Sequence, residues 1–395
     1  MRGLVSSRQT LIGAALLLAA TVAPDARAAD FPVGDERKVE VHGFVSPGFM
    51  LTTGNNWFAK SKRGSFEFTE VGINFTVPLT DKLRTGIQLF SRDLGALGNY
   101  TPRVDWFYLD YKLEDWLGVR AGRVKIPFGL YNDVADIDAA RVPILLPQSV
   151  YSLTSRDFLL AQTGGEVYGR VRLGSLGAFE YRLFGGTIFV DPGNQTTSAQ
   201  PITNVDVPYV VGERAMWETP LEGLRVGGTL EAAKLNLDFI IPPGNPQYPP
   251  GPSTLGLRAV IGILSAEYVR DRLLLATEYA RSTAQYDSPL LPPQAPIVTE
   301  SFYAMASYRF ASWFTPGLYY SATYATVADR SGRDKSMHDV AATLRFDVNP
   351  WWIVKLEGHA ISGTAGLDPA LNGGTPTTAM TQNWGAFFVK STVHF

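Results

Sequence analysis

Cysteine is absent from the 395 residues. That excludes disulfide staples and thiolate metal sites. Histidine is scarce, with only His42, His338, His359 and His394. No H-E-x-x-H, G-x-S-x-G or phosphate-loop pattern is present, so the sequence marks no catalytic centre. Lysine and arginine form no cluster, and the formal charge is -2. A mildly acidic chain without basic patches is a poor nucleic-acid binder. Beyond the first thirty residues no apolar run reaches the ~20 residues that a membrane helix needs. What is plentiful is glycine, at 38 residues, and aromatic side chains, at 12%. Strand-and-turn proteins use both.

The N-terminus carries Arg2 and Arg8, an apolar run from Leu11 to Ala23, and Ala26-Arg27-Ala28. This pattern predicts a secretory signal peptide over 1–28 with an A-x-A cleavage site. Its loss removes Arg2, Arg8, Arg27 and Asp25, bringing the formal charge to -4. The remaining chain, 29–395, is expected to work outside the cytoplasm.

From Val39 onward the sequence alternates with period two. In 104–113, Phe107, Leu109, Tyr111 and Leu113 share one face, and Trp106, Tyr108, Asp110 and Lys112 the other. In 351–359, Lys355, Glu357 and His359 fall on one face. The connections alternate as well. Short ones fall at 78–82, 114–116, 174–177, 220–223, 270–272, 312–315 and 348–350. Longer ones, rich in Gly, Pro, Asn and Ser, fall at about 53–63, 94–102, 128–162, 191–207, 239–254, 287–297, 329–336 and 363–380. Short turns on one side and long loops on the other define an outer-membrane barrel, with periplasmic turns and external loops. The reading is an all-β, transmembrane, antiparallel up-and-down barrel of about sixteen strands. Trp116, Trp217, Trp313, Trp351 and Trp352 lie in or beside short turns, where an aromatic girdle belongs.

The chain ends WGAFFVKSTVHF. Phe387, Val389, Val393 and Phe395 form a lipid-facing row on a strand that must close against the first, near 38–52, because lipid satisfies no open edge. Phe395, with apolar residues at alternate places before it, resembles the C-terminal sorting signal of outer-membrane proteins. That resemblance implies recognition by the barrel assembly machinery.

A barrel of this width encloses water unless something narrows it. The longest connection, 128–162, is the candidate, because long structureless loops are uncommon unless functional. Its apolar stretch Val142–Leu146 is costly to expose. Folding inward brings Asp133, Asp136, Asp138 and Asp157 to the constriction, with Arg141 and Arg156. Acidic residues outnumber basic ones there, so a mild cation preference is expected. The spacing of Asp133, Asp136 and Asp138 invites a calcium reading, but the EF-hand Gly and Glu are missing. No metal or cofactor is therefore assigned. Parity places Arg170, Arg172, Arg182, Glu166, Glu180, Lys355 and Glu357 on the lumen wall, with Glu180 and Arg182 opposite Arg170 and Arg172 as potential partners.

The segment Ala121–Tyr131, AGRVKIPFGLY, contains G-x-x-K-x-P-F-G. Gly122, Lys125, Pro127, Phe128 and Gly129 resemble the stretch at the same place in phosphate-selective porins of the O/P type. The resemblance implies a trimeric porin in the outer membrane of a Gram-negative bacterium, bordered by lipid and lipopolysaccharide. In that family basic constriction residues select anions; here the long loop is more acidic than basic. The expectation is a passive, water-filled channel for small hydrophilic solutes and ions rather than an enzyme. An anion- or phosphate-selective porin is the first alternative, and a non-conducting adhesion or scaffold barrel is the second.

Overall fold

The computed structural model describes residues 29–33, 37–95, 97–190, 202–241, 243, 249–290 and 294–395. The expected signal peptide, 1–28, lies outside the described residues, as do parts of the loops at 191–207, 239–254 and 287–297. Among the described residues, seventeen strands belong to one sheet. β1 (Ala29–Val33) is a short arm paired antiparallel to the start of β2 (Arg37–Thr52). The barrel proper continues with β3 (Thr69–Pro78), β4 (Leu83–Asp93), β5 (Arg103–Glu114), β6 (Leu117–Lys125), β7 (Ala161–Arg172) and β8 (Ala178–Thr187). Next come β9 (Ile202–Glu218), β10 (Leu224–Ile241), β11 (Gly251–Arg270), β12 (Leu273–Asp287) and β13 (Ile297–Tyr308). β14 (Phe314–Tyr324), β15 (Ser336–Asn349), β16 (Trp352–Gly363) and β17 (Asn383–His394) complete it.

Each barrel strand pairs antiparallel with its sequence neighbours, and β17 closes on β2 with Phe387 opposite Leu51 and Val393 opposite Val45. The result is a closed barrel of sixteen strands, β2–β17. Closure pairs the first and last strands and so leaves no edge to satisfy in lipid. The seven short and eight long connections alternate as the sequence predicts. Outward-facing Leu109, Leu183, Leu230, Leu264, Leu318, Val340 and Phe387 are all exposed. An unbroken apolar outer wall is the surface that a bilayer covers. Trp116, Trp217 and Trp313 are exposed at the short-turn end, and Trp313 stacks on Phe346. Their indoles form the interfacial girdle at that end.

Two expectations need correction. The connection expected at 239–254 is shorter, because β10 and β11 stay paired as far as Ile241 and Gly251. Pro252 therefore sits in a strand. It can do so because β11 meets β12 only from Gly256 onward, so one side of Pro252 makes no ladder. The connection expected at 191–207 also yields to strand, since β9 begins at Ile202.

Candidate functional site

The connection between β6 and β7 folds into the barrel. Its neck is pinched where Ile126 N–H donates to Leu160 O at 3.0 Å. Between these ends lie 3-10 turns at Asn132–Val134, Asp138–Ala140 and Leu153–Ser155 and one α-helical turn, Arg156–Leu159. The apolar side of the loop packs in two places. Phe128, Leu130, Leu146, Val150 and Tyr151 join Val210, Met216, Ile263 and Tyr303 of the wall. Ile144 and Leu145 join Met50, Trp57, Trp384 and Phe388 on the far side. Packing of this kind removes the penalty of exposing Val142–Leu146 and fixes the loop across the lumen.

Two wall carboxylates hold the loop backbone. Glu278 of β12 accepts from Leu130 N–H at 3.0 Å, from the Tyr151 hydroxyl, and from Tyr303 at 2.9 Å. Glu357 of β16 accepts from Ile144 N–H at 2.7 Å and Leu145 N–H at 2.8 Å. Lys355 donates to Asp138 O at 2.7 Å and Arg141 O at 2.8 Å. These buried side chains satisfy loop backbone groups that could not otherwise be taken from water.

All four loop carboxylates are paired. Asp133 lies 2.8 Å from Arg182 and 3.2 Å from Arg214. Asp136 lies 2.6 Å from Lys125 and accepts from Gln88 at 2.7 Å. Asp138 lies 3.1 Å from Lys355 and accepts from Thr392 at 2.7 Å. Asp157 sits 3.8 Å from Arg92 and 3.7 Å from Arg103. The loop's own cations have their shortest contacts elsewhere, Arg156 with Asp105 at 2.8 Å and Arg141 with Pro143 O at 3.0 Å, but they also stand 4.0 Å from Asp136 and 3.9 Å from Asp138. Burial alone would raise the Asp136 and Asp138 carboxyls. Lys125 and Arg156 overcome it at Asp136, and Lys355, Lys390 and Arg141 at Asp138, so both stay well below the usual carboxylate range.

The four loop carboxylates therefore do not present an open acidic constriction. Counting only the loop, acids exceed bases; the wall supplies the missing cations. Asp133, Asp136 and Asp138 also reach three different sectors of the wall, so they do not converge on one ion.

The lumen charges read by parity do face inward, but the pairing differs from the expected neighbours. Arg182 bridges Glu166 at 2.6 Å and Asp133, while Glu180 binds Arg214 at 2.7 Å. Arg170 pairs with Glu218, and the exposed Arg172 lies 3.6 Å from Asp115. Arg170 stands directly opposite Glu180 in the ladder yet reaches past it to Glu218. The outcome is a continuous alternating chain, Arg120–Glu166–Arg182–Asp133–Arg214–Glu180, that ties wall to loop. Below it, at the short-turn end, a polar vestibule of about 590 Å³ is lined by Arg84, Asp110, Lys112, Arg120, Tyr168 and Arg170 among others.

Sequence reasoning missed Gln88, Asp105, Thr229 and Lys390 as loop contacts. Lumen parity was readable for Gln88, Thr229 and Lys390, though nothing in the sequence pairs them with particular loop residues. Asp105 shares the parity of the apolar row of Phe107 and Leu109 and turns inward only at the register shift where Val104 and Trp106 face Leu89 and Gln88.

A closed sixteen-stranded antiparallel barrel with an apolar outer wall defines the fold class, a transmembrane β-barrel of the outer-membrane kind. OmpT of Vibrio cholerae is similar over 92% of this chain and 99% of its own, at 11% identity and TM-score 0.59. An anion-selective porin from Comamonas acidovorans is similar over 91% of this chain and 100% of its own, at 14% identity and TM-score 0.61. The outer membrane channel DcaP of Acinetobacter baumannii is similar over 93% of this chain and 100% of its own, at 13% identity and TM-score 0.51. At these identities the likeness establishes the fold. No family model matches the chain, and no curated protein matches it.

Proposed function

We propose that the chain is an outer-membrane porin, exported by the signal peptide 1–28, that passes small hydrophilic solutes and ions through a lumen narrowed by the β6–β7 loop. The observation that carries this reading is the loop itself, which lies inside a closed barrel and is bonded to two separate strands of the wall, β12 through Glu278 and β16 through Glu357. A barrel that served only as a scaffold or adhesin would have no use for a buried, charge-compensated strap across its lumen. The similarity to an anion-selective porin and to an outer membrane channel supports the same reading. With Asp133, Asp136, Asp138 and Asp157 all paired, the wall and loop charges largely compensate, and selectivity is weak in either direction. Phe395 serves as the assembly signal read by the barrel machinery, and the working form is a trimer embedded in lipid and lipopolysaccharide. The test is conductance. Purified protein in a planar bilayer gives discrete, salt-dependent steps; a bilayer that stays sealed at high protein load rules the pore out.

A further inference from the structure

We propose that the long-loop end of the lumen contains a binding cup for small amphiphilic amines, with an aromatic or alkyl body on an apolar wall and an ammonium group on Glu231. Three observations meet there.

The first is an inversion of the barrel pattern. A porin lumen is polar and its outer wall apolar. β10 and β11 contain 18 and 20 residues, whereas a tilted crossing takes about 9–11. Their outer halves must therefore project beyond the bilayer. In these halves the outward positions are mostly polar, Lys234, Asn236, Asp238 and Arg258, with Ile240 the apolar exception. The inward positions are apolar: Ala233 stands opposite Ala259, Leu235 opposite Leu257 and Leu237 opposite Leu255. The polar outer face suits water. Leu235, Leu237 and Ile261 border the loop's apolar cluster, yet they also line open space, which hydrated solutes alone do not call for.

The second is the space enclosed. Phe128, Phe158 and Leu159 of the inward loop face this wall across a cavity of about 510 Å³. That is within the range of about 300–1,000 Å³ usual for small-molecule sites.

The third is Glu231. It lines the cavity, is 4% exposed, and its Oε2 has no hydrogen-bond partner among the described residues. Neighbouring lumen carboxylates are served: Glu166 by Arg120 and Arg182, Glu267 by Arg225 and Tyr131, Glu278 by two tyrosines. Among the described residues, no Lys or Arg lines the Glu231 cavity. A buried carboxylate without a counter-charge is costly, so a cation brought by the ligand is the complement that the site lacks. A carboxylate ligand would meet repulsion, and a neutral hydrocarbon would leave Glu231 unserved.

The experiment uses the full chain in lipid nanodiscs, because detergent would compete for an apolar cup. Three fluorescent probes share one ring system: 1-naphthylmethylamine, 1-naphthylacetate and 1-methylnaphthalene. Partition into empty nanodiscs is subtracted. The amine is expected to bind saturably and the acid not to bind over the same range. Glu231→Gln should weaken the amine at least tenfold while leaving the hydrocarbon unchanged. Ala259→Trp, which fills the cup, should abolish binding of both the amine and the hydrocarbon. Heat-modifiable gel mobility confirms that each variant is folded; if the Trp variant is not, Glu231→Gln carries the test alone. Absence of saturable amine binding, acid binding as tight as amine binding, or amine binding indifferent to Glu231→Gln each overturns the proposal. Binding is read at equilibrium and needs no open pore, so its failure is distinguishable from failure of the conductance test.

Discussion

Phe395 and Gly43 exchange two backbone hydrogen bonds, Phe395 N–H to Gly43 O at 3.0 Å and Gly43 N–H to Phe395 O at 3.1 Å. The ring of Phe395 lies so close over Gly43 that a Cβ there would meet it at 2.7 Å. The last residue is therefore part of the seam that closes β17 on β2, and glycine on the first strand makes room for it.

Deleting Phe395 is expected to lower the amount of assembled barrel, with Phe395→Tyr close to wild type. Gly43→Val should reproduce part of the defect, because its side chain displaces the same ring. Heat-modifiable mobility of outer-membrane fractions measures both. Equal assembly of wild type and deletion would refute the sorting role.

Glu278→Gln should loosen the loop, along with the contacts Glu278 makes to Ser265 and Tyr303 of the wall. Hydrogen bonds to a charged acceptor contribute ~1.5–3 kcal/mol each, and Glu278 accepts from the Leu130 backbone and from Tyr151. The expected result is noisier and larger single-channel conductance. Conductance identical to wild type would mean that the apolar packing alone holds the loop.

Neutralising Asp133, Asp136 and Asp138 together to Asn leaves Arg182, Arg214, Lys125 and Lys355 without these partners. Reversal potential in a salt gradient should then move toward anions. Removing one member of a buried pair costs about 3–5 kcal/mol, so the triple variant should also lose thermal stability. An unmoved potential would place the ion path away from the loop.

Acid should release the loop only at low pH. The Asp136 and Asp138 carboxyls are held below their ordinary value, which in an unfolded chain is ~3.9. A depressed native value gives stability that is present above the unfolded pKa and lost as pH falls toward the native one. Conductance should therefore be flat from neutral pH to about pH 4 and rise below about pH 3. A rise centred near pH 6 would mean that a group other than Asp136 and Asp138 controls the loop.

The barrel was legible along the chain because its physics is local. Alternation with period two, an aromatic residue near each short turn and long polar loops between strands are all written within a few residues of one another. Lys355, Glu357 and His359 could be placed on the lumen face from parity alone, and Phe387 on the lipid face. The long loop could be singled out by its length and by Val142–Leu146. Its net electrostatics could not, because Asp133 finds Arg182 and Asp138 finds Lys355 across the lumen, at separations of 49 and 217 residues. The apolar cup was hidden for the same reason. Alternation in β10 and β11 continues past the membrane while its sense changes, and only the tertiary structure shows which of the two faces still looks inward. Local periodicity sets which residues share a face; barrel closure and the inward fold of one loop decide what each face meets.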